Sequence, residues 1–127
     1  MLRITRPLLA LITALALASP AIAHVKLVAS TPSDGAILAV PVSKLELVFS
    51  KILRLTNVRV TRQNDSKDIP LAGSLPNDAA ERISISVEPL PSGNYTVDWT
   101  GVSRDGHVMK GAFSFTVATA EATQPPQ

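Results

Sequence analysis

The sequence predicts an all-β domain, a β-sandwich of about seven short strands. Two observations support this fold class. Several segments alternate polar and apolar residues with a period of two, and turn signals recur every 8–12 residues or so, as in a sandwich. A third observation is that no window shows a sustained helical period. The short connections between the alternating segments favour antiparallel pairing of the strands.

The strands are predicted from alternation and are bounded by turn residues. Clusters such as Ser33-Asp34-Gly35 and Pro91-Ser92-Gly93, together with Pro41, supply the breaks. The predicted strands are residues 25–28, 44–49, 58–62, 69–71, 82–87, 95–99 and 112–117. The residues predicted to face the core are Leu45, Leu47, Phe49, Val58, Val60, Ile83, Ile85, Val87, Tyr95, Val97, Trp99, Phe113, Phe115 and Val117.

Residues 1–23 have the three parts of a secretory signal peptide. Arg3 and Arg6 give a positive start, residues 8–18 are apolar, and Ala21-Ile22-Ala23 supplies small residues for cleavage. An uncleaved anchor is the alternative, but a spanning helix needs about 20 apolar residues. We therefore expect a cleaved signal, an exported domain over residues 24–118 in the periplasm, and a flexible tail over residues 119–127.

Composition excludes several classes of function. There is no cysteine, which removes disulfides, thiolate metal sites and cysteine nucleophiles. Two of the 12 basic residues lie in the leader, which leaves 10 against 10 Asp and Glu. The remaining basic residues are scattered, unlike the clustered basic surface of a nucleic-acid-binding protein.

The two histidines of the chain are the candidate metal ligands. Cleavage after Ala23 makes His24 the first residue, so that its α-amine and imidazole form a chelate. Asp105 and His107 are two residues apart, and on an extended chain such residues point to the same side. Three nitrogen donors and one carboxylate oxygen suit Cu(II), whereas zinc prefers a tetrahedral arrangement. The sequence predicts one Cu(II) ion held by His24, Asp105 and His107.

Each of these residues also has a simpler interpretation. Asp105-Gly106 is a common turn pair, His107 can cap that turn, and His24 can be a chance first residue. The thioether of Met109 continues the alternation and can approach the ion, but core packing is the expected role. Trp99 is also expected to pack in the core.

The order and spacing of several segments resemble the CopC family of exported copper-resistance proteins. They are His24 with Leu27, Ser30, Pro32 and Gly35, followed by residues 45–50, 90–99, 103–107 and 111–117. The resemblance implies an immunoglobulin-like or cupredoxin-like Greek-key β-sandwich that binds Cu(II) through His24, Asp105 and His107. Some members also bind Cu(I) through a methionine-rich loop. Residues 61–68 contain no methionine, so a Cu(I) site is expected to be absent. The position of Val108 is often proline in the family, and this departure concerns only the conformation of the loop.

The function predicted from these observations is that of a copper carrier, not an enzyme. We expect a monomer that sequesters copper for resistance or homeostasis, or delivers it to an inner-membrane transporter of the CopD type. One alternative is a copper-dependent oxidative enzyme of the lytic-monooxygenase type, although Asp105 would fill a position needed for oxygen. Another is a metal-free immunoglobulin-like interaction module, which fold alone does not exclude.

Overall fold

The computed structural model describes residues 24–118, so the predictions for the signal peptide and the tail lie outside the described residues. This part of the chain contains seven strands and no helix, which confirms the predicted all-β fold class. The strands are β1 (Leu27–Thr31), β2 (Ala36–Leu38), β3 (Val42–Arg62), β4 (Lys67–Ile69), β5 (Ala80–Leu90), β6 (Gly93–Ser103) and β7 (Val108–Val117). Between residues 24 and 118, no helix is long and apolar enough to cross a membrane.

The 21-residue strand β3 organises the sheet, because it pairs with four other strands. Its first half lies between β1 and β5, and its second half pairs with β4 and β6. Leu53 marks the change of neighbours, since it pairs with Ala80 of β5 and with Ser103 of β6. The sheet continues from β6 to β7 and ends on β2, and it curls around one core.

The core confirms the predicted inward positions, since all of the side chains predicted to face it are buried. Phe49 and Trp99 meet edge to face with ring centroids 5.0 Å apart. Tyr95 stacks on Phe115 at 5.6 Å, and its hydroxyl donates to the carbonyl of Pro91 at 2.6 Å. This bond from the start of a strand back to the preceding turn resembles the tyrosine corner of immunoglobulin-like sandwiches.

Two strand predictions were wrong in detail. Residues 44–49 and 58–62 were predicted as separate strands but belong to the single strand β3. A register shift between Leu55 and Asn57 moves the buried positions from odd to even numbers, because a β-bulge inserts one extra residue. This shift breaks the polar–apolar alternation in the sequence, although the strand itself continues.

Strand β2 was not predicted at all. Its three residues follow a turn cluster and show too little alternation to be recognised. They are held by parallel pairing with β7, whose partner residues lie about 80 positions later in the chain. A contact over such a distance in sequence leaves no local signal. The edge strand predicted at residues 69–71 is found two residues earlier, as β4.

Candidate metal centre

Asp105 and His107 lie in the hairpin turn that joins β6 to β7. The turn is closed by two backbone hydrogen bonds, from Ser103 N–H to His107 C=O at 2.9 Å and from Gly106 N–H to Ser103 C=O at 3.0 Å. Gly106 adopts a φ of 85°, which glycine reaches without steric cost. A turn followed by a glycine in the left-handed region is a common three-residue hairpin loop.

The side chains of Asp105 and His107 converge at this turn. Asp105 Oδ2 lies 3.1 Å from His107 Nδ1, and both side chains are more than half exposed. The two residues were predicted to converge because they are two apart on an extended chain. That reason was wrong, since residues 104–106 turn instead of extending, but the turn itself brings the two groups together.

The Asp105 carboxylate is held by a hydrogen bond from the Ser103 side chain. The Ser103 hydroxyl donates this hydrogen bond to Asp105 Oδ1, and the bond is the main reason why the pKa of Asp105 is lowered from its ordinary value. Attraction to His107 also lowers this pKa. Lowering the pKa favours the ionised carboxylate, which is the form that binds a metal ion.

The N-terminal end of the described chain is anchored beside β3. The backbone N–H of Lys26 donates to Ser50 Oγ at 2.9 Å, and Ser50 N–H donates to Lys26 C=O at 2.8 Å. Val25 is buried in the core, whereas His24 before it is exposed. These contacts hold the backbone next to His24 in a defined place on the domain.

Val25 also lines the same cavity as Ser103 and Asp105. The cavity has a volume of about 330 Å³ and includes the charged residues Lys51 and Glu81 in its lining. The residue that follows His24 therefore shares a cavity with one of the predicted ligands. This relation between residues 25 and 105 was not predictable from local sequence.

No complete set of metal ligands is assembled among residues 24–118. The structure brings Asp105 and His107 together, but it contains no group of three or more His, Cys, Asp or Glu side chains close enough to hold a metal ion in this part of the chain. In the full chain the His24 nitrogen is a peptide amide, so the chelate requires cleavage before His24. The metal-ligand roles of His24, Asp105 and His107 stay predictions.

Two other residues considered near the site pack in or against the core. Met109 is partly buried and packs against the core cluster, and Trp99 is buried within it. Ser103, by contrast, was assigned no role from the sequence. A serine two residues before an aspartate in a turn is a recognisable signal, because serine and aspartate side chains often bond within turns.

The chain is therefore a β-sandwich protein with an Asp-His pair at one hairpin turn, and comparison with known proteins assigns its family. A family model, the CopC domain, matches residues 27–118. The chain belongs to the CopC family.

Relatives support this assignment over most of the chain. Copper resistance protein C of Escherichia coli is 34% identical over 106 residues, which cover 76% of this chain and 83% of that protein. Copper resistance protein C of Pseudomonas syringae pv. tomato is 32% identical over 103 residues, covering 75% and 81%.

Solved structures agree with the fold. PcoC of Escherichia coli, described as a methionine-rich copper resistance protein, has 30% identity and a TM-score of 0.61, covering 76% of this chain and all of that chain. CopC of Methylosinus trichosporium OB3b, at 22% identity, has a TM-score of 0.63 and covers 76% and 95%.

Proposed function

We propose that this protein is an exported copper-binding protein of copper resistance or homeostasis that holds one Cu(II) ion as its cargo. The observation that carries the proposal is the approach of Asp105 Oδ2 to His107 Nδ1 at 3.1 Å, in a turn that shares a cavity with the residue after His24. Membership of the CopC family and relatives named copper resistance protein C support the same function.

The proposed ligand set is the α-amine and imidazole of His24, the imidazole of His107 and the carboxylate of Asp105. Nitrogen and oxygen donors of this kind suit Cu(II), which also heads the divalent affinity order. The amine becomes available only when residues 1–23 are removed, so export and metal binding are linked. Because each donor must lose its proton to bind, acid is expected to release the ion.

The proposal includes no Cu(I) site. Soft thioether ligands select Cu(I), and the related PcoC is described as methionine-rich. This chain has only two methionines, Met1 in the leader and Met109, which packs against the core. We therefore infer a single-site carrier, which sequesters Cu(II) or delivers it to a membrane transporter of the CopD type.

Two experiments on exported protein test the proposal. Mass spectrometry determines whether the mature chain begins at His24. Cu(II) titration then compares that chain with one carrying an extra residue before His24, and with a control carrying the extra residue after Gln127. We expect one tightly bound copper in the mature chain and the control, and weakened binding in the N-terminally extended chain. Cleavage elsewhere, or binding that is indifferent to the added residue, would contradict the chelate.

Assays on the same exported protein distinguish the two alternative functions. An oxidative enzyme of the lytic-monooxygenase type would cleave polysaccharide when copper, a reductant and oxygen are supplied. A metal-free interaction module would tolerate replacement of His24 and Asp105 without loss of its function. We expect neither result.

A further inference from the structure

Apart from the core aromatics Tyr95 and Trp99, Ser103 is the one buried residue with a polar side chain among residues 24–118, and 8% of its surface is exposed. A buried hydroxyl is stable only when it has hydrogen-bond partners. The partners of the Ser103 hydroxyl all belong to two residues of the proposed copper site. Its Oγ contacts Asp105 Oδ1, the backbone N–H of His107 at 3.2 Å, and the His107 carbonyl oxygen at 3.3 Å.

The hydrogen-bonding capacity of a hydroxyl decides between these partners. Serine has one hydrogen to donate and two lone pairs. The hydrogen goes to Asp105 Oδ1, because a bond to an ionised carboxylate is stronger than one to a carbonyl. A lone pair accepts the N–H of His107. The serine therefore links the carboxylate of one proposed ligand to the backbone of the other.

This arrangement commits one oxygen of the carboxylate and leaves the other available. Oδ1 is bonded to Ser103, while Oδ2 faces His107 Nδ1 at 3.1 Å. A carboxylate that is fixed at one oxygen cannot rotate freely about its χ angles, although its side chain is 54% exposed. Without the serine, an exposed aspartate in a turn would sample several rotamers.

We propose that Ser103 is a positioning residue of the metal site, whose hydroxyl orients the Asp105 carboxylate so that Oδ2 is presented toward His107. The inference rests on the proposed Cu(II) function and adds a residue that does not touch the ion. Groups that orient metal ligands in this way commonly contribute about 10–100-fold to metal affinity.

The competing explanation is that Ser103 only closes the hairpin turn. Both explanations allow Ser103→Ala to lower stability, so stability alone does not separate them. They differ in whether the effect passes through the Asp105 side chain. Ser103→Thr keeps the hydroxyl, and Ser103 lines the cavity of about 330 Å³ instead of being enclosed on all sides.

The first test uses metal-free protein that starts at His24, at a pH where histidine is neutral. Nitrogen-15 NMR of the imidazole reports which ring nitrogen of His107 carries the proton. Facing a carboxylate, Nδ1 must donate, so we expect the Nδ1–H form in the wild type and in Ser103→Thr. Ser103→Ala should shift the population toward the other form. An unchanged population in a folded Ser103→Ala protein would overturn the proposal.

The second test is a double-mutant cycle on Cu(II) affinity, with the electron paramagnetic resonance spectrum of bound Cu(II) as a second readout. We expect Ser103→Ala to weaken binding about tenfold and to alter the spectrum, and Ser103→Thr to restore both. In an Asp105→Ala background, Ser103→Ala should have no further effect. Ser30→Ala is the matched control, since that part-buried hydroxyl bonds to Pro32 C=O and not to a proposed ligand.

The outcomes separate this inference from the proposed function. If Ser103→Ala weakens binding equally with and without Asp105, or not at all, the positioning role is wrong while the copper site stands. If the wild-type protein binds no Cu(II), the proposed function fails and the role of Ser103 at a metal site fails with it.

Discussion

Replacing Gly111 with alanine should destabilise the protein because the space for a side chain is occupied by Trp99. Gly111 pairs with Trp99 across β6 and β7. A Cβ at this position would lie 2.6 Å from Trp99 Cζ2, 2.7 Å from Cε2 and 2.8 Å from Nε1. Real Cβ contacts are almost never shorter than 3.0 Å, so the indole or the strand must move.

Neither group can move freely. The indole is buried and packs edge to face against Phe49, and β7 is held by pairing with β6 and β2. Overpacking of this kind costs about 1–3 kcal/mol. The backbone of Gly111 is not in the left-handed region, so alanine also gains about 0.4–1 kcal/mol by reducing the entropy of the unfolded chain. We expect a net loss of about 1–2 kcal/mol in the free energy of unfolding.

Urea unfolding followed by far-UV circular dichroism measures this loss without relying on the perturbed indole. A Tm decrease of about 4–8 °C for each kcal/mol should accompany it. Gly73→Ala is the matched control, because nothing lies within 4 Å of its added Cβ and the residue is exposed. We expect the control to be neutral or more stable by up to about 1 kcal/mol.

A second substitution tests the mechanism. Phenylalanine at position 99 has one ring instead of two and lacks Cζ2, the indole atom that the new Cβ would approach most closely. Gly111→Ala should therefore cost less in a Trp99→Phe background than in the wild type. An equal cost in both backgrounds, or no cost in the wild type, would refute the steric reasoning.

Three other predictions concern the corner tyrosine and the proposed metal site. Tyr95→Phe should lower the free energy of unfolding by about 1 kcal/mol, because it removes the hydrogen bond to Pro91, and equal stability in urea unfolding would contradict this. Burial raises the pKa of Tyr95 above 10.0, so the folded state keeps the proton longer than the unfolded chain does, and stability should fall as the pH rises past about 10. Tyr95→Phe should reduce this alkaline loss, and an identical pH profile would count against it. Met109→Leu should leave Cu(II) affinity unchanged in titrations of the mature chain, because the thioether packs against the core, and a clear loss would assign Met109 to the site.

Much of the fold was predictable because its signals are local. The buried faces of β5, β6 and β7 follow from strict alternation, as in Ile83, Ile85 and Val87, and each of these residues is buried. The turn at Asp105-Gly106 follows from turn chemistry, and Gly106 has the positive φ that such a turn uses. Order and spacing of the segments also indicated the CopC family, which the family match confirms.

The site was predictable only in part. Asp105 and His107 were expected to converge because they are two residues apart. They do converge, but through a turn instead of an extended strand. Ser103 received no role, because the bonds it makes depend on how the turn closes. The ligand role of His24 depends on cleavage of a segment outside the described residues and stays a prediction.

The sequence by itself determined most of the strands, which of their faces are buried and where the chain turns, because these properties depend on neighbouring residues. Only the tertiary structure decided that β3 runs unbroken past a bulge, that β2 pairs in parallel with β7, and that Val25 shares a cavity with Asp105. These features join residues far apart in the chain. Such contacts form only when the folded core offsets the entropy of closing the intervening loops, and no local pattern records them.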